Sequence, residues 1–217
     1  MKCCGQCQGI EQIFDSKVAR EDLKQYRKNG PTKATRVVLD WLESLGQNQL
    51  SLLDVGGGVG IIQHELFKVG VVNTAVHVDA AQSFLQASKS EAERLGHAEQ
   101  VTYQHGNFVE LANALEPADI VTLDRVLCCY HDMPGMVRAT AVSAKKYIGL
   151  IFPQDRFLFK LGVKIANLGL LISRNPFRIF IHPTQTVDAL LNEHGFQRKM
   201  HKKFLFWQSM VYVKQAN

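Results

Sequence analysis

LSLLDVGGGVGIIQHELFKV, residues 50–69, decides the fold. Its first six residues make an apolar run of strand length, and IIQHELFKV reads as a helix. Between them Gly56, Gly58 and Gly60 let the backbone turn sharply and come close to a ligand. The helix that follows offers unsatisfied N–H groups in its first turn. Strand, glycine loop and helix in that order open a nucleotide-binding α/β unit.

The alternation continues outward from this stretch. NTAVHV is a second strand with AQSFLQASKSEAERL as its helix, and QVTYQH is a third strand. ADIVTL is a fourth, followed by a helix from about Met133 to Lys145, and KYIGLIF is a fifth. Wholly apolar strands alternating with helices predict a parallel sheet covered on both faces. TQTVDALLNEHG reads as a helix capped by Thr184 or Thr186 and stopped at Gly195. FQRKMH and LFWQSMVYVK then form two strands around a turn at Lys202–Lys203, short enough to make them antiparallel. Upstream, residues 8–45 read as helical with a break at Asn29-Gly30-Pro31 and Thr32 as the next cap. The predicted fold class is α/β: a Rossmann-like, doubly wound, mostly parallel seven-stranded sheet with an antiparallel C-terminal strand and N-terminal helices. An insertion rich in Phe, Leu and Arg separates the fifth strand from the tail at about residues 153–183.

A chain of 217 residues is long enough for one buried core. Hydrophobic content of 46% and charged content of 21% are ordinary for a globular protein. The best candidate for a membrane span, FLFKLGVKIANLGLLIS, is interrupted by Lys160 and Lys164, which argues against a span and leaves peripheral membrane contact open. The N-terminus has no apolar run of signal-peptide type, so a cytoplasmic location is expected. The five cysteines are then expected as thiols or metal ligands rather than disulfides. Charge is uneven: from Phe152 onward ten Lys/Arg face three Asp/Glu. A second basic run, Lys24, Arg27, Lys28, Lys33 and Arg36, contains no acid. Such clustering suits anionic partners, against the plainer reading of solvated faces.

The glycines are spaced G-x-G-x-G, whereas a dinucleotide loop runs G-x-G-x-x-G. Asp54 precedes the first glycine by two residues. An acid at the mouth of the loop suits a cationic ligand and disfavours a pyrophosphate. S-adenosyl-L-methionine carries an ammonium, a sulfonium and a ribose, and no phosphate. Asp79, at the end of the second strand, can accept both ribose hydroxyls.

Residues 50 to about 152 resemble a class I SAM-dependent methyltransferase. The resemblance rests on Asp54-Val55-Gly56-Gly57-Gly58-Val59-Gly60, supported by Asp79, Gly106-Asn107-Phe108 and Asp124-Arg125-Val126. It implies S-adenosyl-L-methionine as cofactor, with Asp54, Gly56, Gly57, Gly58 and Gly60 beneath its methionine and ribose. Asp79 and Ala80 would meet the ribose, Asn107 and Phe108 the adenine, and Asp124 and Arg125 the junction of cofactor and substrate. The family commonly has Asp where this chain has Asn107, whose amide oxygen can still accept from the adenine amine. It also implies that residues 1–49 form a helical arm over the active site of a domain spanning 50–217.

More narrowly, YRKNGPTKATRVVLDWL, the glycine loop, DRVLCCYHD and the basic insertion are similar to the magnesium-protoporphyrin IX O-methyltransferases. Phe14 stands where that family usually has Tyr, and Cys129-Tyr130-His131 where it reads His-Tyr-Pro. The expected reaction is methyl transfer to a small or medium anionic, partly apolar acceptor, with oxygen as the expected acceptor atom and a porphyrin-like carboxylate among the candidates. Arg156, Lys160, Lys164, Arg174 and Arg178 suit such an acceptor. His131 is the candidate base and Tyr130 the candidate positioning residue, against readings as a solvent-facing side chain and as pocket packing. His182-Pro183-Thr184 reads as a helix start, and Phe206 and Trp207 as core.

Cys4 and Cys7 have a metal-compatible C-x-x-C spacing beside Cys3, with Cys128, Cys129 or His131 as a potential fourth ligand. Incidental thiols are the competing reading, and no metal is assigned. The alternative functions are a SAM-binding or metal- and thiol-sensing protein without turnover, and a nucleic-acid methyltransferase, prompted by a pI of about 9.0. The latter lacks a clear N/D-P-P-Y/F motif, which makes nucleic acid an unexpected partner.

Overall fold

The computed structural model describes residues 5–215, with side chains from residue 9. Three helices come first: α1 (Gly5–Ile13), α2 (Ser16–Asn29) and α3 (Lys33–Glu43). The Rossmann-like part follows as β1 (Leu50–Val55), α4 (Ile61–Lys68), β2 (Val72–Asp79), α5 (Gln82–Leu95) and β3 (Val101–His105). Next come α6 (Phe108–Leu111), β4 (Ala118–Asp124), α7 (Met133–Ser143) and β5 (Ala144–Pro153). The chain ends with α8 (Phe157–Ile172), α9 (Thr184–Glu193), β6 (Phe196–Lys203) and β7 (Trp207–Lys214).

The seven strands form one sheet in the order β3-β2-β1-β4-β5-β7-β6. All neighbours are parallel except β7, which runs antiparallel to both β5 and β6. The order reverses between β1 and β4, so their C-terminal ends diverge and open a crevice. The β1 and β4 runs are apolar because helices cover both faces of the sheet. On one face Leu53, Val121 and Leu150 pack with Met136 and Val137 of α7 and Val187 and Leu191 of α9. On the other Leu52, Ile120 and Val211 pack with Val38 and Leu42 of α3 and Leu66 of α4.

Several boundaries differ from the sequence reading. The N-terminal helical stretch breaks once more, at Phe14-Asp15, where the Asp15 carboxylate accepts from the Lys17 and Val18 amides and caps α2. Thr32 caps α3 as expected. Pro183, not Thr184 or Thr186, occupies the cap position of α9; the Thr184 hydroxyl instead accepts from Gln208 of β7. The turn between the last strands lies at 204–206 rather than at Lys202–Lys203. The insertion is mostly helical: α8 has sixteen residues and none is buried.

Candidate active site

The glycine loop leaves β1 and is tied down on its far side. Gly56 N–H donates to Val78 O at 2.7 Å, and Gly58 N–H donates to Asp79 Oδ2 at 3.0 Å. Asp79 Oδ1 accepts from Ala81 N–H at 2.8 Å, so this carboxylate orders the loop and the start of α5 together. At Gly56 (φ +57°) an added Cβ would lie 2.5 Å from Val126 Cγ2, which fixes glycine on steric and torsional grounds. Gly60 takes the left-handed cap position of α4 and is buried against Ser88, His64 and Gln63, away from the cavity.

A polar layer that sequence reasoning missed supports this loop from behind. Gln63 Oε1 accepts only, so His77 Nδ1 must donate to it, at 3.0 Å. Gln63 Nε2 in turn donates to Ser88 Oγ at 2.9 Å. His64 Nε2 donates to Val59 O at 3.0 Å, which leaves its Nδ1 to accept from His97 Nε2 at 2.9 Å. Burial keeps these rings neutral, lowering His77 to about 3 and His64 to about 4. The signal was the run of polar residues on the inward face of an otherwise apolar helix.

Asp54 is 1% exposed. Its Oδ1 accepts from Thr122 Oγ1 at 2.7 Å, and its Oδ2 has no partner. Burial, reinforced by Asp124 and Asp79, raises its pKa to about 7. At the end of β4, Asp124 accepts from Thr35 Oγ1 at 2.7 Å and from Arg125 Nε at 2.9 Å. Arg125 has φ +63°, a left-handed conformation rare outside glycine, and its amide donates to Ile151 O.

Beyond it a 3-10 turn, Leu127–Cys129, forms the next wall. His182 Nε2 lies 2.9 Å from Leu127 O and 3.1 Å from Tyr130 O; both are acceptors, so the ring donates and pins both ends of the turn. Phe180 N–H adds a bond to Cys128 O. The Cys128 and Cys129 sulfurs are 3.8 Å apart, and this contact together with burial pushes the Cys129 thiol pKa up. Asn107 caps α6 through Oδ1 and donates from Nδ2 to Tyr130 Oη at 3.1 Å.

These elements surround a cavity of about 1220 Å³. Asp54, Gly56, Gly57, Gly58, Asp79 and Ala80 line one part of it. Asn107, Phe108, Asp124, Arg125 and Tyr130 line the next. Phe14 of the α1–α2 link, Phe159 of α8, and Phe177 and Trp207 extend it with apolar surface. His131 is exposed and absent from the wall: its ring lies beside that of Tyr130, with centroids 5.1 Å apart, on the solvent side. Phe206 and Trp207 are half-buried and line the cavity, and Trp207 also packs against the core on the α3 face. Arg156, Lys160, Lys164, Arg174 and Arg178 do not line the cavity; its charged wall consists of Asp22, Asp54, Asp79, Asp124 and Arg125. Cys3 and Cys4, and the Cys7 side chain, lie outside the described residues. Among the described residues no three His, Cys, Asp or Glu side chains converge as a metal site.

Comparison with known proteins agrees with this geometry. Residues 53–145 match the family described as "Methyltransferase domain". The ribosomal protein L11 methyltransferase of Hamiltonella defensa subsp. Acyrthosiphon pisum (strain 5AT) is 30% identical over 122 residues, which cover 56% of this chain and 38% of that protein. The Yersinia pestis protein of the same name is 35% identical over 72 residues, covering 33% and 24%. The chain thus spans well under half the length of these curated relatives. Magnesium protoporphyrin IX methyltransferase from Synechocystis PCC 6803, solved with bound SAM, superposes with a TM-score of 0.71 at 17% identity, over 97% of both chains. An O-methyltransferase family protein from Burkholderia thailandensis gives 0.70 at 14% identity, over 95% of this chain and 63% of that one.

Proposed function

We propose, from the premise that the chain carries a class I SAM-dependent methyltransferase domain, that it methylates a medium-sized, apolar acceptor at oxygen, with S-adenosyl-L-methionine as cofactor. The observation that carries this reading is the unpartnered, buried Asp54 Oδ2 beneath the glycine loop. Asp54, Asp79 and Asp124 converge there without a matching number of cations, which favours a positively charged ligand. The same cavity continues into an apolar chamber on the side of Tyr130 and α8.

In this reading Asp54 faces the cationic end of the cofactor, and Asp79 shares its remaining lone pairs with the ribose. Phe108 packs on the adenine, and Asn107, whose Oδ1 already caps α6, meets its edge. When bound, the cofactor supplies an activated methyl group on a sulfonium, so the protein's task is mainly alignment. Tyr130, held by Asn107, orients the acceptor at the wall. His131 receives no role as base, because it faces solvent. An acceptor that arrives ionised, such as a carboxylate, needs none. The acceptor's apolar body is the feature this cavity fits. Arg125, the cavity's cation, is already paired with Asp124.

The test is incubation with methyl-labelled S-adenosyl-L-methionine and a cell extract, separated into protein and organic-soluble fractions. Label in the organic-soluble fraction, stable to mild base for an ether and labile for an ester, is the expected result. Label confined to protein would favour a protein acceptor, in line with the names of the curated relatives. Cofactor binding without any labelled product would overturn the transferase reading.

A further inference from the structure

Helix α8 carries Phe157 (77% exposed), Leu161 (48%), Ile165 (65%), Leu168 (57%) and Ile172 (76%) along one side. Their spacing of four, four, three and four places them in a single stripe. The opposite side turns Phe159, Val163 and Leu170 towards the cavity. The helix therefore has two apolar faces, and only one has a protein partner among the described residues. An apolar stripe of this size on a surface marks a contact site.

The surroundings say what kind of contact. Between Asp155 and Asp188 the chain has no acid, but it has Arg156, Lys160, Lys164, Arg174 and Arg178. Lys160 and Lys164 each directly precede a residue of the stripe, and both are exposed. The β6–β7 turn packs against the cavity side of α8 near its N-terminal end, where the Phe159 and Phe206 rings are 5.0 Å apart. That turn presents Leu205, 86% exposed, beside exposed Lys202 and Lys203.

We infer that this face, the outer stripe of α8 with the β6–β7 turn, docks onto an anionic lipid surface. Leucine, isoleucine and phenylalanine enter the acyl boundary while the lysines reach the headgroups. No helix of the described residues is long and apolar enough to cross a membrane, so the contact is peripheral. A second copy of the chain fits the charge pattern less well. A symmetric contact on this stripe would bring two patches of the same positive charge together. Docking does not depend on the transferase reading. With that reading, it would set α8 between the bilayer and the cavity and let an apolar acceptor enter from the lipid.

Vesicle co-sedimentation of the full chain tests this, with phosphatidylcholine alone against phosphatidylcholine mixed with phosphatidylglycerol. The expected result is partition onto the anionic vesicles only, weakening as salt rises. Replacing Lys160 and Lys164 by Gln should cost roughly fivefold in partition per charge removed. Leu161→Glu with Leu168→Glu should abolish partition while binding of S-adenosylhomocysteine and the thermal midpoint stay unchanged. Should that pair fail to fold, the lysine variants and the salt series on the unaltered chain still decide. No partition onto anionic vesicles overturns the inference. So does partition that ignores salt and the lysines, or a dimer in sedimentation velocity that the Leu161→Glu pair dissociates while vesicle binding persists.

Discussion

At the scale of single residues, Asp54 joins stability to binding. Its folded pKa of about 7 lies above the ordinary 3.8, so its stabilising protonation is complete below about pH 4 and lost as pH rises through 7. Asp54→Asn keeps an acceptor for Thr122 and removes the buried charge. The ligand-free variant should be more stable than the parent at pH 8, by on the order of 1–3 kcal/mol in urea unfolding. It should also bind S-adenosylhomocysteine at least about tenfold more weakly by calorimetry. Equal affinity would remove Asp54 from the cofactor site. Asp79→Asn tests the second contact: one of the Gly58 and Ala81 amides would face an NH2 group, and affinity should fall by about tenfold to a hundredfold.

At the scale of elements, the glycine loop and the 127–130 turn form two sides of one vice. Gly56→Ala should weaken cofactor binding and cost about 1–3 kcal/mol, because the new methyl meets Val126. Adding Val126→Ala should restore part of the loss. If it restores none, the steric account fails and only the torsional one is left. On the facing side, His182→Ala releases two carbonyls of the turn without touching the glycine loop. Turnover should drop by roughly tenfold with little change in S-adenosylhomocysteine affinity, since the turn positions Tyr130 rather than the cofactor. An equal loss of both would place the turn on the cofactor side.

At the scale of the whole molecule, buried neutral imidazoles oppose Asp54. His64 and His77 have folded pKa values of about 4 and about 3, below the ordinary 6.5. Their stabilisation is present above about 6.5 and is lost as pH falls through those values. Asp54 runs the other way over the same window. Between pH 5 and 6 the unfolding free energy of Asp54→Asn should therefore fall with acid more steeply than that of the parent. The difference is one proton, about 1.4 kcal/mol per pH unit. Identical slopes would mean that Asp54 titrates in its ordinary range.

The strand–loop–helix unit at residues 50–69 is legible in the sequence alone, because sharp turns, apolar runs and caps are properties of consecutive residues. The same holds for the antiparallel last strand and for the acids at Asp54 and Asp79. Which side chains share a cavity is a non-local matter. His131 and Tyr130 are neighbours in the chain and their rings touch, yet only Tyr130 is buried in the wall while His131 stays in solvent. The basic residues of the insertion looked like substrate contacts, but none lines the cavity, and α8, which carries Lys160 and Lys164, exposes a stripe whose partner no local pattern identifies. His182, read as a helix start, became the pin of a turn more than fifty residues upstream. Packing assigns such roles because it decides which lone pairs and rings meet, and the order of residues along the chain does not.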